Sequence, residues 1–442
     1  MLFCKPMETG RRLQPRQSYF QILFLFTLVF NVTTTHAEER PISLADALSR
    51  TMAQNPSLQV FDFRLQGLEG RRLSADQAPA YVAGLEVENV LGSGDLRGAD
   101  RAEYTLSLSS VIELGSKRQA RTGVVNSRYD LVKAEREAKT LELLGEVTQR
   151  YVATLALQKK LDLSAQAMAL SETTLNTVTQ RAKQGAAPEA EVLRAKAALA
   201  QSQLAHDALQ TEYEKRKVAL ASLWGETRVD FQRLQGDLFR FEPSERFEVL
   251  YQQARESPMI RVYASERRMR EAEIRLARSQ SESDIRWQLG ARRFEESGEA
   301  ALVAGISVPL FSGSRNRGEV QSAMAARNEV EYRQQSALLK LHSLLFEAFH
   351  TRQQNIDAVE RLRSTVLPDL TKALELTQKA YERGRYSYVE WTAAQRELLS
   401  AREALVEAAA TALLNQALIE QLTAQSMTQG QTASALNQTQ DY

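Results

Sequence analysis

The stretch VLRAKAALAQSQLAHDALQTEYEKRKVALASL at residues 192–223 carries a seam at Val192, Ala195, Leu199, Ser202, His206, Leu209, Tyr213, Arg216, Leu220 and Leu223. The steps alternate between three and four, which keeps these side chains on one face of a helix in a heptad register. Adding 199 to each number lands on WTAAQRELLSAREALVEAAATALLNQALIEQL at 391–422 and gives Trp391, Ala394, Leu398, Ala401, Leu405, Ala408, Ala412, Asn415, Ile419 and Leu422. One register met twice points to a duplicated unit, and the Ala and Ser content of the seam suits close approach of several helices.

Working outward, the preceding segments agree. At an offset of 198, Val147, Tyr151, Leu161, Met168, Leu175 and Ala182 correspond to Leu345, Phe349, Val359, Val366, Ala373 and Ala380. Asn55-Pro56 corresponds to Ser257-Pro258, and the glycine turn at Gly185 to Gly384. The first long helix is expected from about Arg121 to Lys183, roughly 95 Å at about 1.5 Å per residue. Its counterpart contains Pro368, which removes one backbone hydrogen bond and is expected to bend the axis. The expected division is residues 1–37 as a signal peptide, 38–235 as the first repeat, 236–425 as the second and 426–442 as a flexible tail. Each repeat runs helix, strand, strand, long helix, turn, long helix.

Four segments between the helices have a period of two. Leu85, Val87 and Leu91 alternate with Glu86, Glu88 and Val90; Tyr104, Leu106, Leu108, Ser110 and Ile112 alternate with Glu103, Thr105, Ser107 and Ser109. Ile285, Trp287, Leu289 and Ala291 oppose Arg286, Gln288 and Arg292, and Leu302, Ala304, Ile306 and Val308 oppose Val303, Gly305 and Ser307. The linkers at 92–98 and 295–299 suit hairpins. A half-buried soluble sheet would alternate in the same way. The lengths also approach the roughly 9 to 11 residues of a tilted membrane strand.

Composition decides between these settings. The 56 basic and 55 acidic residues give a formal charge of +1, without the basic excess of a nucleic-acid binder. No apolar run is long enough for a helical membrane span. Lys5, Arg11, Arg12 and Arg16 precede an apolar run from Phe20 to Phe30 and small residues up to Ala37, the pattern of an export signal. Cleavage before Glu38 would remove those four basic residues and Glu8, taking the charge from +1 to −2, together with Cys4, the single cysteine. Disulfides, thiolate metal sites and an N-terminal lipid anchor are then excluded. An exported chain with alternating strands and no helical span fits an outer-membrane barrel. One chain brings four strands, whereas the smallest membrane barrels need about eight, so several chains must share one barrel. Glu86, Glu88, Glu103, Arg286 and Arg292 would then line a wet, mixed-charge lumen.

The order of these elements resembles the TolC-like outer membrane efflux proteins. The resemblance is carried by Ser43-Leu44-Ala45-Asp46-Ala47-Leu48 with Asn55-Pro56, and by Val366-Leu367-Pro368-Asp369 with Tyr381, Gly384, Ser387 and Ala394-Gln395-Arg396. Glu88-Asn89-Val90, Gly92-Ser93-Gly94, Leu106-Ser107-Leu108, Glu113-Leu114-Gly115 and Lys117-Arg118 are similar to the heavy-metal subgroup that serves cobalt-zinc-cadmium and copper-silver exporters. The resemblance implies a mainly α fold with a β membrane part. Three chains would form a twelve-stranded outer-membrane β-barrel, continued by the duplicated coiled-coil helices as a periplasmic α-barrel. It implies a homotrimer that meets a periplasmic adaptor (membrane fusion) protein, itself joined to an inner-membrane RND pump. It assigns Gly185, Ala187 and Pro188, and Arg383, Gly384 and Ser387, to adaptor-contact and gating tips. Glu390 matches the first of two constriction aspartates in TolC-type members, but Ala393 stands at the second, and Trp391-Thr392 replaces smaller aliphatic residues.

Read directly, the tip residues are also ordinary helix punctuation: glycine ends one helix, and Pro188 or Ser387 starts the next. Glu390 reads equally as an exposed helical glutamate. No catalytic constellation is expected. The histidines of the mature chain, His206, His342 and His350, lie apart on long helices, and Gly92-Ser93-Gly94 lacks the rest of a dinucleotide loop. No cofactor, metal site or nucleic-acid partner is expected. The functional expectation is passive conduction of substrate, with heavy-metal cations as the cargo implied by the subgroup. An exported structural coiled coil, or a channel for drugs or secreted proteins, is the alternative.

Overall fold

The computed structural model describes residues 41–243 and 245–425. The export signal and the tail beyond residue 425 lie outside the described residues. The chain opens with α1 (Leu44–Gln54) and α2 (Pro56–Ala75), followed by the hairpin β1 (Val82–Glu88) and β2 (Glu103–Ile112). Then come α3 (Lys117–Lys183) and α4 (Glu189–Ala221). The same order recurs in α5 (Phe247–Arg255), α6 (Pro258–Ser279), β3 (Ile285–Phe294) and β4 (Ala300–Ser307). A short α7 (Ser312–Arg315) leads into α8 (Arg317–Arg361), α9 (Leu367–Glu382) and α10 (Tyr388–Thr423).

Local chemistry sets the helix starts. Ser43 and Asp46 form a reciprocal capping box on α1. Asn55 caps α2 ahead of Pro56, and its amide donates to the Leu223 carbonyl at 2.6 Å, fastening the start of α2 to the end of the α4 arm. Ser257-Pro258 occupies the same place before α6 but makes no side-chain cap bond.

The 67 residues of α3 span about 100 Å. Its counterpart is broken. Between α8 and α9 the backbone adopts a π-helical turn over Leu362–Val366, and Pro368 sits in the first turn of α9. The wider turn accommodates the missing N–H and the proline ring, so the expected irregularity takes the form of a π-turn just upstream of the proline.

The main apolar core forms midway along α3, where Val147, Tyr151 and Leu155 meet Leu220, Trp224, Leu234, Leu238 and Ala409. Polar groups stitch this core. The Tyr151 hydroxyl donates to the Ile42 carbonyl at 2.8 Å, and Gln158 accepts from the Tyr213 hydroxyl at 2.7 Å and from the Leu234 amide at 2.8 Å. The connection after α4 is thereby held against α3 and α4.

The two seams are buried unequally. All ten positions from Trp391 to Leu422 are buried or half-buried, because α10 is packed by α3, α5, α8 and α9. In α4, which packs mainly along α3, Arg216 departs from the expected seam. It is exposed and pairs with Glu212 at 3.0 Å, while its neighbour Lys217 is buried over the Tyr213 ring. Leu193, Leu204 and Val218 remain exposed on α4.

The strands form one antiparallel sheet in the order β1-β2-β3-β4, so β2 and β3 join the two halves. β1 pairs only with β2 and β4 only with β3, leaving an unpaired edge on each side among the described residues. β1 ends sooner than the alternation suggests: Asn89 and Leu91 have φ of 58° and 56°, which turns the chain out of the sheet before Leu91. Val308 likewise falls just beyond β4. A Cβ on Gly290 would lie 2.7 Å from the Leu106 carbonyl oxygen, so the close approach of β3 to β2 requires glycine there.

Candidate functional site

Two regions at opposite ends of α3 gather the residues singled out by sequence. At its C-terminal end the turns around Gly185 and Gly384 have the same backbone bonding. Gly185 N–H reaches the Ala182 carbonyl at 2.9 Å and Ala186 N–H the Arg181 carbonyl at 2.8 Å. Gly384 N–H reaches Tyr381 and Arg385 N–H reaches Ala380, both at 2.9 Å. These are Schellman motifs, with φ of 73° and 70° at the two glycines. Gly185 and Pro188 are exposed and Ala187 is half-buried; Arg383, Gly384, Ser387 and Glu390 are exposed.

The following helices start differently. Pro188 is the N-cap of α4 and offers no side-chain bond, while Glu189 and Glu191 lie in the first turn, where carboxylates are favoured by the helix dipole. Ser387 makes a complete capping box. Its N–H and hydroxyl donate to Glu390 Oε2 at 2.7 and 2.9 Å, and Glu390 N–H donates back to the hydroxyl at 3.3 Å. Bonds from the Ser387 amide and then its hydroxyl hold the Glu390 carboxyl below the ordinary glutamate range. The carboxylate is thus ionised and engaged with its own helix start.

The turns are fastened to each other by Arg181 and Glu191, which the sequence reading did not assign to this region, together with Tyr381 and Trp391 of the second turn. Arg181 lies over the Tyr381 ring at 4.5 Å, donates to the Tyr381 carbonyl, and donates to the Ala186 carbonyl at 3.2 Å. The Tyr381 hydroxyl donates to Glu191 Oε2 at 2.9 Å. Burial, then this bond to a carboxylate, pushes the Tyr381 hydroxyl pKa up. Trp391 is fully buried and stacks on Tyr381 with ring centroids 4.9 Å apart. Gln395 donates to the Thr174 hydroxyl at 2.9 Å. Glu191 and Glu390 are equivalent under the 199-residue offset, yet one joins the two hairpins and the other caps its own helix.

At the other end of α3, strand register puts Glu86, Glu88, Glu103, Arg286 and Arg292 on one face of the sheet. Three of them meet directly. Arg292 lies 2.8 Å from Glu88 Oε2 and 2.7 Å from Glu103 Oε2, and its Nε donates to the Thr105 hydroxyl at 2.9 Å. Arg286 stands toward the helical end of the same face, beside Val111 and Ser307. The opposite face carries Leu85, Leu106, Leu289, Leu302 and Ile306, each more than half exposed. Such a face needs an apolar surrounding.

The histidines are dispersed. His206 shares a 2.8 Å hydrogen bond with Ser164, and His342 and His350 lie against aromatic rings. Among the described residues there is no group of three or more His, Cys, Asp or Glu side chains placed to hold a metal, and no helix long and apolar enough to cross a membrane.

The sequence matches the model of the outer membrane efflux protein family over residues 47–226 and 249–425. The chain belongs to that family. It is similar to the cobalt-zinc-cadmium resistance protein CzcC of Cupriavidus metallidurans, with 24% identity over 362 residues, 82% of this chain and 85% of that one. It also resembles the nickel-cobalt-cadmium resistance protein NccC of Alcaligenes xylosoxydans xylosoxydans, with 23% identity across 67% of each. Among solved structures, CusC, described in connection with transmembrane channel formation, aligns with a TM-score of 0.72 at 16% identity, covering 86% of this chain and 91% of that one. As an outer membrane efflux protein, the chain is a passive channel protein of the outer membrane with a long periplasmic helical extension, and not an enzyme. The fold is that of TolC-like trimeric channels, in which a β part is continued by a helical barrel.

Proposed function

We propose that this chain is the outer-membrane channel of a tripartite RND-type efflux system and conducts heavy-metal cations from the periplasm to the exterior. In this reading three chains close a twelve-stranded barrel. Residues 1–37 are removed on export, and residues 38–235 and 236–425 are two copies of one unit. The observation that carries the proposal is the sheet: four strands with both edges unpaired among the described residues, one face apolar and exposed, the other charged, continuous with a helix about 100 Å long. Unpaired edges are untenable in lipid, whereas closure with neighbouring copies satisfies every backbone group and turns Glu86, Glu88, Glu103, Arg286 and Arg292 toward a lumen. Exposed Leu193, Leu204 and Val218 on α4 give the helical part apolar surface for the same neighbours.

The tips Gly185, Ala187, Pro188, Arg383, Gly384, Ser387 and Glu390 are proposed to contact the periplasmic adaptor, which links the channel to an inner-membrane RND pump. The exposure of all of them but half-buried Ala187 at the far end of α3, and their paired Schellman turns, support that role. The metal cargo is inferred from likeness to CzcC and NccC. Deleting the gene and growing the strain on graded zinc, cobalt, cadmium, copper and antibiotics tests it. Reduced metal tolerance, restored by the intact gene, is the expected result. Unchanged metal tolerance with increased drug sensitivity would overturn the cargo. A water-soluble monomer after extraction, in place of a heat-resistant trimer in detergent, would overturn the channel itself.

A further inference from the structure

Glu88 and Glu103 are directly opposite each other in the β1–β2 register, where two like charges repel. Both point to the charged face, and the Asn89 amide donates to Glu103 Oε1 at 2.8 Å. Two facing carboxylates form a hard, oxygen-rich arrangement of the kind that captures divalent cations. Arg292 fills it. Its Nη1 donates to Glu103 Oε2 and its Nε to the Thr105 hydroxyl, while Nη2 forms an ion pair with Glu88 Oε2 at 2.8 Å, so one side chain from the second half spans both strands of the first hairpin. A lysine, with a single ammonium, could not satisfy both carboxylates and the hydroxyl in that planar fork.

We propose that Arg292 is a selectivity-determining residue of the bore: it occupies the Glu88–Glu103 pair, so that divalent cations pass without being chelated there. The inference rests on the channel reading above. Conduction requires that a permeating ion bind weakly enough to leave, and a vacant carboxylate pair on the wall would hold a divalent cation longer than one already paired with a guanidinium. The charge count agrees. The face carries Glu86, Glu88 and Glu103 against Arg286 and Arg292, one net negative charge per chain. Loss of Arg292 doubles that charge and exposes the chelating pair; loss of Glu88 cancels it.

The test is planar-bilayer recording of the purified full-length protein, wild type, R292Q and E88Q, under a KCl gradient and then with Zn²⁺ or Cd²⁺ added on the loop side. For R292Q the cation-to-anion permeability ratio should rise at least about twofold, and micromolar metal should block the potassium current. Wild type should conduct without such block. E88Q should shift the ratio toward anions and remain unblocked. An R292Q channel with wild-type permeability ratio and no metal block overturns the proposal. Should R292Q fail to assemble, an E88Q channel with an unchanged ratio overturns it equally. A wild-type protein that conducts nothing and forms no trimer in detergent would instead refute the channel reading on which it rests.

Discussion

Trp391 shows how a single residue acquires its role. Its place at the head of the second seam marks it as core-facing, but nothing near it in sequence reveals that it lies beneath Tyr381 and closes the contact between the two hairpin turns. Replacing it with alanine removes a fully buried indole and should cost about 3–5 kcal/mol in denaturant titration of the detergent-solubilised protein, with W391F recovering much of the loss. The equivalent glutamates Glu191 and Glu390 teach the same point. The capping box at Ser387 is readable from local spacing, since cap and carboxylate are three residues apart. The bond from Tyr381 to Glu191 joins residues 190 positions apart, and no local pattern encodes it.

Among the elements, the helices are the most legible. Their apolar seams, glycine stops and Pro or Ser starts are local signals, and α3 begins at Lys117 and ends at the predicted Lys183. The two turns depend on glycine for conformation and not for space: φ at Gly384 is 70°, and a Cβ there would meet only Arg181 Nη2, at 3.8 Å. G384A should therefore destabilise by about 1–2 kcal/mol. Gly123, within the regular helix α3 and with nothing within 4 Å of its Cβ position, gives the opposite sign: G123A should stabilise by about 0.5–1 kcal/mol. Midpoints of denaturant titration for both variants check the pair. The π-turn before Pro368 was legible only as an interruption, because the proline dictates that a bond is lost and the packing of α8 and α9 dictates how the backbone widens to absorb it.

For the whole molecule, the decisive property is that one chain cannot satisfy its own sheet. The alternation assigns each strand residue to a face, and that assignment has a direct consequence in a membrane. Leu289 lies on the exposed apolar face, level with Leu108 and Ala304, while adjacent Gln288 is on the charged face. L289R should cost about 2–4 kcal/mol and deplete the heat-resistant assembled form in outer-membrane extracts, whereas Q288R should assemble at wild-type levels. Equal assembly of the two variants would contradict the face assignment.

The sequence by itself determined the duplication, the long helices and their glycine turns, the four alternating strands and the shortage of strands for a closed barrel. Each of these is written in local periodicity or in a count. Tertiary structure alone decided that β2 pairs with β3 across the halves, that Arg292 rather than Arg286 meets the two carboxylates, and that Arg181, Glu191, Tyr381 and Trp391 bind the hairpin turns together. Those contacts join residues far apart in the chain, and their partners are selected by how the packed helices and strands set the register between distant segments, which no spacing along the sequence records.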